Sequence, residues 1–246
     1  MSPLIHQLVA AMPDVNVYPH DVVVPITPKL RGRSFFPGGC GLFGGVAQRL
    51  ADRPIMLVGQ DFGTLDYWNG LNTDDESWQG TWTSLRKMLL EVEVDPRNCF
   101  FTNVLLGVRR SGSIDGPSPA LRCPDYVSAC SEYVKEQVGI VQPSVVVALG
   151  KVPTILLARC FGLTRSLSAP TEDDSKNATF EQIDNEGLQF RESVSLSSSR
   201  TFAFGSSVHP DRFWLHYRHR HWPEKKTRGK PCHDLIWQEI RRASGR

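Results

Sequence analysis

An acid, an amide and an imidazole stand at the ends of three apolar runs in this chain. The run Ile55–Gly59 leads into Gln60-Asp61-Phe62-Gly63, Cys99–Asn103 closes on Thr102-Asn103, and Thr201–Ser206 leads into Ser207-Val208-His209-Pro210. If these runs are parallel strands, Asp61, Asn103 and His209 share the crevice beyond the strands' carboxyl ends, where open α/β sheets hold their ligands. Together they suit hydrolysis of a polar heterocycle. Each also has a plainer reading: an Asp after a strand caps the next helix, an Asn at a strand end closes a turn, and a His before Pro serves a loop. Their recurrence at three strand ends favours a common site.

The elements needed to position them are legible. A fourth run, Ser144–Gly150, is rich in Val, and all four runs are short and bounded by turn residues, as buried strands are. Helical periodicity spans about 82–92, 124–141, 152–161 and 233–242. Strands alternating with helices predict a three-layer α/β/α sandwich around a four-stranded, mostly parallel sheet. The 246 residues fit one domain, with a core of about 54–216. Residues 1–53, rich in Pro and Gly, read as an N-terminal extension. Residues 164–200, Ser-rich and acidic, read as a polar surface insertion or hairpin, and 217–246 as a basic C-terminal helix.

Composition narrows the function. Hydrophobic residues make up 40% and charged residues 22%, ordinary for a soluble globular protein. No apolar run approaches the ~20 residues of a membrane helix, and the N-terminus lacks the basic start of a signal peptide, so a cytoplasmic protein without membrane contacts is expected; a monomer is expected too, though no sequence feature sets the oligomeric state. The six cysteines are scattered and read as reduced, mostly buried thiols. The net charge of +2 is uneven: residues 212–246 hold ten Lys and Arg against three Asp and Glu, the remainder 18 against 23. A basic end suits phosphate contact or a solvated helix. The stretch WLHYRHRHWPEKK interleaves aromatic with basic residues, which suits nucleic acid or a basic surface element. Gly39–Gly44 fits G-x-G-x-x-G but lacks the preceding strand that dinucleotide binding requires. His216, His219, His221, Cys232 and His233 match no common zinc spacing. Neither a metal nor an organic cofactor is expected.

The ordered motifs resemble those of the uracil-DNA glycosylase superfamily over about residues 54–216. IMLVGQDFG is similar to its first motif, CFFTNVL to the strand carrying the base-reading asparagine, SVVVALGKVPTILL to its strand–Leu-Gly–helix segment, and SSVHPDRFW to its second motif. The resemblance implies a cofactor-independent DNA repair enzyme that flips uracil or another deaminated base out of DNA and hydrolyses its glycosidic bond. Asp61 then positions the water and stabilises the cationic sugar. Gln60, Phe62 and Gly63 form the loop against base and sugar, Trp82 stacks on the base, Asn103 reads its edge, and His209 donates to uracil O2. Ser207 and Pro210 lie at the DNA, with Arg212 or Phe213 as the wedge filling the vacated stack.

Phe62 and Gly63 stand where the best-known branch has Pro and a thymine-excluding Tyr, and Asp211 stands where Ser is usual. The cysteine pattern of the iron–sulfur branch is absent. The resemblance is therefore to a divergent member, without implied exclusion of thymine. A monofunctional enzyme is expected, because no lysine is assigned to the crevice. A non-catalytic nucleobase- or DNA-binding module on the same fold is the alternative, and an unrelated flavodoxin-like protein a third reading.

Overall fold

The computed structural model describes residues 3–25, 38, 52–70, 81–170, 179–197, 200–212 and 216–245. Its centre is a five-stranded sheet. In chain order, the short β1 (Val23–Val24) precedes β2 (Ile55–Gly59), β3 (Cys99–Asn103), the short β4 (Val108–Arg109), β5 (Val145–Leu149), β6 (Phe190–Ser197) and β7 (Arg200–Ser207). The sheet order is β3-β2-β5-β7-β6, while β1 and β4 pair separately. Contacts between β2, β3, β5 and β7 are all parallel. Every residue of β3 and β5 is buried, which explains their unbroken apolar character: helices cover both faces of a parallel sheet.

The fifth strand corrects the expected count of four. It comes from the segment read as a polar insertion and runs antiparallel to β7, with two irregularities in register. β6 alternates Phe190, Val194 and Leu196 with Arg191, Ser193 and Ser195. It is an edge strand with charge on its exposed side, a composition that resists edge-to-edge association and resembles a loop. The same segment contains a short helix with a reciprocal cap between Thr179 and Gln182.

The helices are α1 (Pro3–Ala10), α2 (Leu65–Gly70), α3 (Thr81–Glu91), α4 (Pro124–Val141), α5 (Lys151–Cys160), α6 (Phe180–Asn185) and α7 (Gly229–Ala243). In α4, Tyr126, Cys130, Tyr133, Val134, Gln137, Val138 and Val141 are buried, the stripe of a 3.6-residue period. Pro124 starts it, and it stops at Gln142, whose φ is 51°. α5 is buried from Val152 through Ala158. α7 packs Cys232, His233, Ile236, Trp237 and Ile240 inward. Among the described residues no helix is long and apolar enough to cross a membrane.

Candidate active site

The parallel register fixes which residues meet at the sheet's carboxyl edge. Gly59 pairs with Asn103, and Leu149 with Ser207. The chain leaves that edge through Gln60-Asp61, Gly150-Lys151 and Val208-His209. Asp61, Asn103 and His209 all line one cavity of about 690 Å³, within the ~300–1,000 Å³ typical of small-molecule sites.

Asp61 is held from three directions. Arg109 Nε donates to Oδ2 at 2.8 Å, Gln60 Nε2 to the same oxygen at 3.2 Å, and the Gly63 N–H to Oδ1 at 3.0 Å. The Asp61 side chain is only 8% exposed and that of Arg109 only 4%. Gly63 adopts φ +81°, a left-handed conformation that suits glycine and turns its N–H onto the carboxylate. Asn103 is buried against Gly59, where a Cβ would collide with Asn103 Oδ1. The glycine before Gln60 thus makes room for the amide.

His209 carries its own orienting bond. The Asp211 N–H donates to Nδ1 at 3.3 Å. In a neutral imidazole that bond assigns the ring proton to Nε2. The Asp211 carboxylate accepts from the Thr81 hydroxyl, joining the His209 loop to the start of α3. Beneath the loop, Ser207 is fully buried, its Oγ 3.2 Å from His233 Nε2 and accepting from Trp237 Nε1 at 3.2 Å. Burial lowers the His233 imidazole to about 3, an effect that Arg220 and Lys230 reinforce.

The family model described as Uracil DNA glycosylase superfamily matches residues 49–240. The chain belongs to this superfamily. No curated protein matches the chain.

Among the residues expected at a glycosylase site, Gln60, Asp61, Phe62, Gly63, Asn103, His209 and Pro210 all line the cavity. Phe62 packs edge-on to Trp68, with ring centroids 5.9 Å apart. Trp82 lies in the first turn of α3, but its side chain is outside the described residues, as are the side chain of Arg212, all of Phe213 and the Gly39–Gly44 loop. Ser207 is not at a DNA-facing surface: its hydroxyl is sealed under the His209 loop. The expectation of a crevice without lysine is also corrected, since Lys151 lines the cavity. It directly follows Gly150 beyond β5, so the strand-end rule that selected the other three residues applies equally to it.

Arg109 and Phe180 were not foreseen either. Arg109 stands beside Arg110 in a loop-rich stretch with no motif around it. Phe180 comes from the supposed insertion and lines the cavity beside His216, its ring capped by the Arg220 guanidinium at 4.9 Å. Among the described residues, four of the ten Lys and Arg residues of the basic C-terminus are engaged by carboxylates within the protein. Lys230 meets Glu91 and Asp234, Arg241 meets Glu93, Arg242 meets Glu192 and Glu239, and buried Arg220 meets Asp184. Among the described residues no group of three His, Cys, Asp or Glu is gathered as a metal site.

Proposed function

We propose that this protein hydrolyses the N-glycosidic bond of uracil or another deaminated base in DNA, by base flipping and an Asp61-positioned water. What supports this most is the meeting of Asp61, Asn103 and His209 on one cavity with ample room for a flipped nucleotide. Cleavage builds positive charge on the sugar and negative charge on the departing base. A carboxylate beside the sugar and a donor at base O2 stabilise the two ends, each by about 3–4 kcal/mol in a dry site. His209 with its proton on Nε2 is such a donor without carrying net charge. The Asn103 amide can donate to O4 and accept from N3–H, a pattern cytosine cannot match; unpaired buried groups discriminate by about 10⁴–10⁵.

The test is an excision panel of uracil, hypoxanthine, xanthine and mismatched thymine in single- and double-stranded DNA at two salt concentrations. Abasic product is expected, in amounts that fall as salt rises, because phosphate contacts release counterions. Asp61→Asn should lose several orders of magnitude in excision while retaining DNA affinity. Full activity in that variant would remove Asp61 from the mechanism. Borohydride trapping checks Lys151: no covalent adduct is expected from a water-driven reaction, and an adduct lost in Lys151→Ala would establish a lyase step.

One observation favours the alternative of a binding module. The Asp61 carboxylate is already engaged by Arg109. Tight binding of uracil-containing DNA without abasic product would decide for that alternative.

A further inference from the structure

The partner of Asp61 has a more specific meaning if the proposed hydrolysis is correct. Arg109 Nε bonds Asp61 Oδ2, Nη1 donates to the carbonyls of Ser113 at 2.7 Å and Asp115 at 3.3 Å, and Nη2 donates to that of Gly116 at 2.9 Å. Its backbone N–H also donates to Gly63 O at 2.8 Å. Side chain and backbone of one residue therefore grip both the loop carrying Asp61 and the adjoining 113–116 loop, which also lines the cavity.

We propose that Arg109 is a positioning residue for glycosidic hydrolysis: it fixes the Asp61 carboxylate so that a single lone pair, on Oδ1, remains to hold the attacking water. A carboxylate offers about four acceptor sites. Arg109 and Gln60 occupy those of Oδ2 and the Gly63 N–H occupies one on Oδ1, so the direction of the remaining site is set by the protein. The three carbonyls around the guanidinium draw part of its positive charge toward the 113–116 loop. Asp61 consequently keeps a negative field toward the sugar despite its ion pair. Without Arg109 a nearly buried carboxylate loses its counter-charge and the bond that fixes its orientation.

The experiment is a double-mutant cycle read by single-turnover excision of uracil from DNA, alongside DNA affinity and thermal unfolding. In the native background Arg109→Met should slow excision on the order of 100-fold, the scale of breaking a buried ion pair, with affinity changed by less than about threefold. Arg109→Lys should recover part of the rate, since it retains charge but not the fork. In the Asp61→Asn background, Arg109→Met should cost under about threefold, because its target is already neutral. Equal losses in both backgrounds would show a merely structural loop brace and overturn the proposal. If Arg109→Met does not fold, the same comparison with Arg109→Lys separates the two roles. A native protein that excises no base fails the functional reading itself, and this inference with it. An active native protein with equal losses in both backgrounds overturns this inference alone.

Discussion

At the level of single residues, the site depends on space as much as on charge. Gly59 is the clearest case, because Asn103 Oδ1 occupies the place a Cβ would need. Gly59→Ala must push the amide aside or shift a strand. It is expected to lose about 1–3 kcal/mol of stability from overpacking, and more than tenfold in uracil-over-cytosine discrimination. Chemical denaturation and paired excision assays measure the two. Gly63 carries a different demand, its left-handed backbone delivering an N–H to Asp61. The sequence contains both glycines but not the reason they differ, which lies in what their neighbours occupy. Asp61, Asn103 and His209 were findable because strand ends are visible in hydrophobic pattern. Arg109 was not, because its partnership with Asp61 spans 48 residues and leaves no periodic trace.

Among the elements, the central strands and α4 could be read directly, since a fully buried strand has an apolar run and a half-buried helix has its stripe. β6 could not, because an edge strand with a solvent face looks like the loops around it. Its neighbour α6 is anchored by a fully buried pair, Arg220 and Asp184, with guanidinium–carboxylate contacts of 2.7–3.1 Å. Burial raises the Asp184 carboxyl, while Arg220 and the His221 N–H oppose that rise. Arg220→Met leaves Asp184 buried without its partner and is expected to destabilise by about 3–5 kcal/mol, whereas pairing it with Asp184→Leu should restore much of that loss. Urea midpoints of the two variants distinguish a needed contact from a needed charge. The C-terminal basic excess reads differently once α7 is in place: Lys230, Arg241 and Arg242 link it to acidic residues around α3 and to β6, so net charge over a segment overstated what it offers to DNA.

For the whole molecule, stability is coupled to pH through a group outside the cavity. His233 titrates near 3 when folded and near 6.5 when exposed. Between these values the unfolded chain binds the extra proton, so the fold is unpenalised above about pH 6.5 and loses about 1.4 kcal/mol per pH unit as pH falls toward 3. Denaturant midpoints at pH 7.5 and 5 should therefore differ, and His233→Phe should narrow the gap. The thiols behave in the opposite way toward reagents: burial raises Cys130 and Cys232 to about 11 and Cys160 to about 12, leaving them protonated and slow to react at neutral pH.

Phe180 reaches the cavity from a source separate from its strand-end rim. Asp61 and His209 follow parallel strands, while Phe180 arrives on a short helix inserted between β5 and β7 and fastened by its own ion pair. Under the proposed function, the repertoire of accepted bases is therefore free to drift by remodelling that helix while the carboxylate and imidazole stay put. Trimming Phe180 to Ala should shift the ratio of purine to pyrimidine release far more than the rate on uracil.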